Sequence, residues 1–415
     1  MKEKKLYIIL FVFPLILIVA GLVVSPFSEL FQGLSAIITA PSLLLTDYLG
    51  VGGLGATLVN AGLCGLVSAL LVYFNKLDVN GPFIAAVYTV VGFAFFGKNI
   101  ANIWPIFIGV WFYARYHKTE FRNYLLVGLF GTTLSPLISF LTFGSGLPFL
   151  YSVPLGIFSG VVAGFVLPPL ASHMLRFHDG YNIYNVGFTG GMIGSFLSAL
   201  FRSFDFTIET ASILSDDHSF FMGVLLNIFF LALIFAGLFF SKDNFSGFVD
   251  SMRSIHKSSG RLISDFVRIG GFNATIFNMG ILGILSSFFV VLLNGSFNGP
   301  VVGGILTVVG FAAFGKHLRN CIPILVGVVI AAFLKIWDAG TTSVVIAGLF
   351  GTTLAPVAGQ YGFKAGVLAG FFHLSIVMNV IVLHGGVNLY NNGFAGGFVA
   401  SFLVPLIDAL KKQED

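Results

Sequence analysis

The amino-acid sequence predicts an all-α polytopic integral membrane protein made of two inverted-topology repeats, about seven segments each, with broken or re-entrant helices and interfacial amphipathic helices. Three observations predict this class. The 415 residues are 57% hydrophobic and 9% charged, against about 25% charged in a soluble domain. Long strings recur half a chain apart. GLFGTTLSP at 128–136 returns as GLFGTTLAP at 348–356, and NGP at 80–82 returns at 298–300 ahead of runs ending VVGFAFFGK and VVGFAAFGK. YNVGFTGG from Tyr184 returns as YNNGFAGG from Tyr390. Finally, the basic loops fall on one side only if each half crosses an odd number of times.

The segments follow in order. Lys2, Lys4 and Lys5 precede an apolar run at 6–25 that has the outline of a signal peptide. No small-x-small site follows it, and it has a counterpart at 220–240, so a retained first helix is expected. The stretches 27–48 and 245–266 share Phe27-Ser28 with Phe245-Ser246 and Asp47 with Asp265, and both read as amphipathic helices lying in the interface. Then 52–74 pairs with 270–293, 81–97 with 299–315, 102–116 with 320–336, 124–143 with 342–360, 150–172 with 363–383 and 183–201 with 389–410. The repeats therefore span 1–213 and 214–415.

From a cytoplasmic N-terminus, Arg115, Lys118, Arg122 and Arg176 fall inside, and the acidic stretch Asp205, Glu209, Asp216 and Asp217 falls outside. Lys242, Arg253, Lys257, Arg261, Arg268, Lys316, Arg319, Lys411 and Lys412 also fall inside, while Lys98 and Lys335 do not fit. The expectation is a multi-pass protein of the bacterial cytoplasmic membrane with both termini cytoplasmic. An odd count turns the second half upside down, the plan of many channels and secondary transporters with binding near the midplane. The basic residues sit in short loops, so they are no nucleic-acid footprint. The lipid bilayer and a small-molecule or ion substrate are the expected partners, and a homo-oligomer stays open.

Several motifs carry chemistry. Pro136 lacks an N–H and clashes with the carbonyl of Thr132, and Pro356 does the same to Thr352. A freed carbonyl and two hydroxyls, Thr132 and Thr133 or Thr352 and Thr353, then lie deep in each half. This reads either as a proline kink patched by a hydroxyl or as a broken helix lining a solute path. Asn60 and Asn278 lie inside apolar runs and must bond something, a neighbouring helix or a solute. GYNIYN and GVNLYN place Asn182, Asn185, Asn388 and Asn391 where they suit a helix start. The four-spaced glycines at Gly156-Gly160-Gly164, Gly362-Gly366-Gly370 and in the last segments read as close helix packing. Asn102 before Pro105 and Asn320 before Pro323 read as helix N-caps. The neighbouring Lys98 and Lys316 read as interfacial lysines that snorkel or, if the turn dips inward, as an anion site.

No Asp or Glu lies in the middle of a segment, and HExxH, GxSxG and P-loop motifs are missing. Cys64 and Cys321 lie in apolar runs and do not correspond between halves, so no cofactor or metal is expected. Through its repeated GLFGTTLxP, NGP…VVGFAxFGK and YNxGFxGG strings the chain resembles a bacterial multi-pass membrane family catalogued only as a domain of unknown function, over nearly its whole length. GYN at 180–182 and GFNATIFNMG from Gly271 carry a weaker similarity to urea channels. The LPxN-type pore stretch of that family is not evident.

The sequence thus points to a transport protein, whether channel, facilitator or secondary transporter, for a small polar neutral or anionic solute. Its site is expected at the midplane: Asn60, Asn278, Thr132, Thr133, Thr352 and Thr353, then Asn182, Asn185, Asn388 and Asn391. The alternatives are a membrane-embedded enzyme acting on a lipid or isoprenoid through His178, Asp179 and His384, and a non-transporting scaffold.

Overall fold

The structure, a computed structural model, describes residues 7–206, 208, 212–239 and 245–411; Lys2, Lys4, Lys5, Glu209, Lys242 and Lys412 lie outside them. The described chain is helical, and its first series runs α1 Ile8–Val24, α2 Phe27–Thr39, α3 Tyr48–Phe74, α4 Gly81–Phe93, α5 Trp104–Tyr116, α6 Leu125–Gly131, α7 Ser135–Ser139, α8 Phe149–Phe177 and α9 Asn185–Ser203. The second runs α10 Ser219–Phe239, α11 Phe245–Lys257, α12 Phe266–Ile269, α13 Gly271–Leu292, α14 Gly299–Phe311, α15 Leu318–Leu334, α16 Thr342–Gly351, α17 Ala355–Tyr361, α18 Phe363–His384 and α19 Asn391–Lys411. Eight helical stretches among the described residues are long and apolar enough to cross a membrane. The chain is an all-α, multi-pass membrane protein.

Two short helices form the centre. In α4 and α14 all thirteen residues are buried, so their sequences are apolar on every side instead of on one stripe. Asn80 and Asn298 start them by accepting the backbone N–H of Phe83 and of Val301, with proline in the first turn. The two helices lie antiparallel. Gly81 faces Ala313, Gly310 faces Ala85, Gly92 faces Gly303 and Gly299 faces Phe95. A Cβ on Gly303 would stand 2.7 Å from the Gly92 carbonyl oxygen, so the backbones approach as only glycine permits.

The outer helices pack by the same device. A Cβ on Gly21 of α1 would stand 2.6 Å from the Gly55 carbonyl of α3, and one on Gly237 of α10 would stand 2.8 Å from the Asn273 carbonyl. Gly164 of α8 meets the Ile106 carbonyl at 2.3 Å and Gly370 of α18 meets that of Ile324 at 2.1 Å on the same test, as close packing requires, whereas Gly362 packs on nothing and instead turns the chain between α17 and α18 with φ +89°. Helices α9 and α19 also pass each other antiparallel, with Gly187 on Tyr390, Gly393 on Tyr184, and the Ser198 hydroxyl donating to the His384 carbonyl.

Some boundaries differ from the sequence reading. The amphipathic helices end at Thr39 and Lys257, and the chain then runs irregularly to Asp47 and Asp265. The last segments become helical at Asn185 and Asn391, not at 183 and 389, because the preceding residues give their N–H groups to the other half.

Candidate functional site

Helices α4 and α14 are each about 20 Å long, while the hydrocarbon core of a bilayer is about 30 Å thick. The turns that follow them, residues 94–99 and 312–317, are buried inside the protein. Each turn reverses at a glycine in the left-handed region, Gly97 (φ +97°) or Gly315 (φ +98°), and the next residue is Lys98 or Lys316. Both lysines are 0% exposed, which rules out the snorkelling reading and places Lys316 outside the inner loops. The same burial explains why Lys98 did not fit the loop charges.

Asparagines hold these turns. The Asn60 amide on α3 donates to the carbonyls of Ala94 (2.8 Å) and Lys98 (2.9 Å). On α13, Asn278 donates to Ala312 (2.7 Å) and Lys316 (2.8 Å). Asn102 and Asn320 are not the N-caps expected of them: α5 starts at Trp104 with Ile103 as cap, and Asn320 is already in the first turn of α15. They serve the turns instead, donating to the Gly97 and Gly315 carbonyls, each at 2.9 Å, and accepting the N–H of Asn99 and of His317.

The proline breaks behave differently from the expectation of a bare Thr132 or Thr352 carbonyl. A 3-10 turn lets the Ser135 N–H take the Thr132 carbonyl, and the Ala355 N–H takes that of Thr352. It is the next threonine that reaches across. The Thr133 carbonyl accepts the Leu389 N–H at 3.0 Å, and its hydroxyl accepts the Tyr390 N–H at 3.0 Å while donating to Asn388 Oδ1 at 2.8 Å. Thr353 makes the matching set, with Ile183 N–H at 3.1 Å, Tyr184 N–H at 3.0 Å and Asn182 Oδ1 at 2.5 Å. The amides of Asn182 and Asn388 then donate to the Gly393 and Gly187 carbonyls. Apart from the two local 3-10 bonds, every one of these bonds joins one half of the chain to the other.

Asn185 and Asn391 sit further out, each bonding a histidine, His178 or His384, and donating to a carbonyl of the preceding helix, Ala171 or Val377. Nine of the ten expected site residues are buried, and Asn185 is half-buried.

Between the two threonine turns lies a cluster of aromatic rings. Tyr184 and Tyr390 have centroids 4.8 Å apart; Tyr390 meets Phe93 at 4.5 Å and Tyr184 meets Phe311 at 4.7 Å. Phe350 and Phe130 back Phe93 and Phe311, each at 5.5 Å. The lysines flank this cluster and are not equivalent. Lys316 Nζ donates to the Thr352 hydroxyl at 2.6 Å and to the Tyr184 hydroxyl. Lys98 Nζ lies 5.0 Å from the Phe93 centroid and has no hydrogen-bond partner, while the Tyr390 hydroxyl turns to Thr89. Neither lysine belongs to an ion pair among the described residues. A cavity of about 130 Å³ touches the cluster at Phe350 and is lined also by Leu44, Phe96, Leu389, Asn391 and Asn392.

Two carboxylates were matched in the sequence but given no part. Asp265 accepts the N–H of Gly81, the first residue of α4, at 3.0 Å, and pairs with Arg268 at 3.4 Å. Asp47 faces the N–H of Gly299, the first residue of α14, and accepts those of Leu49 (2.9 Å) and Ser215 (3.1 Å). Each half thus caps the central helix of the other, a partnership that spacing along one half does not reveal. Tyr184 and Tyr390 were visible only as letters of a repeated string.

A family model described as protein of unknown function (DUF1576) matches residues 27–203 and 245–409, well over half of the chain. The chain belongs to this family. Both DUF1576 stretches begin at an amphipathic helix, α2 or α11, and end within a last helix, α9 or α19. No curated protein and no solved structure matches the chain.

Proposed function

We propose that this DUF1576 chain is a membrane transport protein for a small polar, neutral or anionic solute. In this reading residues 1–213 and 214–415 are two inverted repeats in a bacterial cytoplasmic membrane, with both termini cytoplasmic, and the solute crosses between them. The observation that carries the reading is the doubling of polar contacts across the centre. Thr133 bonds Asn388 and Tyr390, and Thr353 bonds Asn182 and Tyr184, with the halves exchanged. Equivalent helices α4 and α14 run antiparallel, as inversion requires. A membrane scaffold has no need of buried lysines, threonines and asparagines at matching places in both halves, since each costs free energy to bury.

Within this reading the Thr132 and Thr352 hydroxyls face the solute, with the lysines beside them. Asn60 and Asn278 hold the lysine turns in place. Thr133, Thr353, Asn182 and Asn388 form the contact that must re-form as the path opens, and Asn185 and Asn391 brace it from behind. The aromatic cluster closes the path in the conformation described.

Reconstituted vesicles test the proposal through their osmotic shrinkage or swelling, followed by light scattering, with urea, glycerol, sodium formate and sodium nitrate as probes. At least one probe is expected to move faster than in protein-free vesicles. The paired substitution Thr132→Val and Thr352→Val keeps the volume of the side chains, and is expected to abolish that flux while the protein still purifies as a folded species. Vesicles as tight as protein-free ones to all four probes, or undiminished flux in the double variant, would remove the reading.

A further inference from the structure

We infer that Lys98 is the charge-binding group of this site, and that its ligand is a small singly charged anion, a carboxylate or an inorganic oxyanion. The inference rests on the transport reading above and narrows its solute to one class. It stands on the difference between two lysines that the sequence makes equivalent.

An ammonium carries three donors and no acceptor. Burying it without partners is among the most costly arrangements available to a protein. At Lys316 the chain meets that cost with two hydroxyls, Thr352 and Tyr184, and with the faces of Tyr184 and Phe311 at 4.5 and 5.5 Å. At Lys98 the corresponding groups are all present and are used otherwise. The Tyr390 hydroxyl donates to Thr89 at 3.3 Å, and the Thr132 hydroxyl, which donates to the Leu129 carbonyl just as Thr352 donates to that of Leu349, accepts nothing from the lysine. Only the Phe93 ring, 5.0 Å from Nζ, faces the charge. No carboxylate among the described residues pairs with Lys98.

The surroundings select for sign and size. With two buried lysines and no acidic side chain paired to either, a cation is repelled and an anion is stabilised at short range in a low-dielectric interior. The cavity of about 130 Å³ reaches Phe96 and Leu389. Phe96 is two residues before Lys98, and Leu389 packs on Gly97 with its side chain 2.5 Å from where a Cβ would stand. Lys98 does not itself line this cavity, which lies against its turn; a water occupies about 30 Å³, so the space suits a solute of a few heavy atoms. A single ammonium with one ring beside it fits one negative charge. Lys316, satisfied by its own hydroxyls, is then the same station in its closed form.

Calorimetric titration of the full-length detergent-purified protein with sodium nitrate and sodium formate, at constant ionic strength balanced with gluconate, tests this. Saturable binding of at least one anion is expected in the wild type. Lys98→Gln is expected to weaken it about tenfold or more, and Lys98→Arg to keep it within about threefold. No saturable binding in the wild type, or unchanged binding in Lys98→Gln, overturns the inference. Should Lys98→Gln fail to fold, reductive dimethylation of the wild type followed by peptide mass spectrometry decides the matter. The anion is expected to protect Lys98, and labelling that the anion leaves unchanged overturns the inference. Vesicle flux separates the two readings. Anion binding through Lys98 in a protein whose vesicles pass no probe supports the site and removes transport. Urea flux that Lys98→Gln leaves unchanged, with no anion bound, removes the site and supports transport.

Discussion

Asn60 shows what a single amide does in a membrane interior. Its two amide hydrogens reach the carbonyls of Ala94 and Lys98, and its oxygen accepts the Ile100 N–H at 3.2 Å, so one side chain closes a turn that has left its helix. Asn278 makes the same two donations, but its oxygen has no partner. Each buried hydrogen bond lost this way costs about 1–3 kcal/mol. Asn60→Ala is therefore expected to lower the melting temperature in detergent more than Asn278→Ala does, and equal shifts in thermal unfolding would contradict the account. That both asparagines must bond something was legible from their place in apolar runs. What they bond was not, because the partner carbonyls belong to a turn whose depth depends on the packing of α4 against α14.

At the scale of elements, the central helices are capped by residues of the opposite half. Asp47 lies just ahead of the spanning helix α3, and burial pushes its carboxyl up from 3.8 to about 6 against the pull of the Leu49, Gly299 and Ser215 N–H groups, with Asp216 adding to the rise. A raised value means that the folded state holds the proton more tightly than the unfolded one. The stabilisation is complete below about 3.8 and is lost as pH rises through about 6. Melting temperature is thus expected to fall between pH 4 and 7 by a component that Asp47→Asn, neutral throughout, removes. A variant with the full wild-type slope would show that another group titrates there. The proline breaks belong to this scale too. Their positions were plain from GTTLxP, but the 3-10 turn at Thr132 and at Thr352 retrieves the carbonyl that proline frees. The polar contact to the facing half falls on Thr133 and Thr353, one residue later.

For the whole molecule, the proposed inversion places equivalent loops on opposite faces of the membrane. Lys76 and Asn294 close α3 and α13 at matching places, both exposed and both in the left-handed region, with φ of 53° and 55°. The native thiols Cys64 and Cys321 are buried and free, which keeps the labelling background low. In intact cells a membrane-impermeant maleimide is expected to label Asn294→Cys, and to label Lys76→Cys only after permeabilisation. Labelling of both from one face would rule out the inverted arrangement.

The sequence by itself determined that this chain is a helical membrane protein written twice, since composition and repeated strings are properties of the linear order alone. It marked the breaking prolines, the buried asparagines and the close-packing glycines, because each follows from local chemistry. Only the tertiary structure decided which groups meet. Thr133 with Asn388, Asp47 with Gly299 and Lys316 with Tyr184 are joined across long separations by the passage of antiparallel helices. The same packing makes two identical lysines differ. Lys316 finds its own hydroxyls and Lys98 does not, because the surrounding side chains settle into one of two related arrangements, and no string of letters records which.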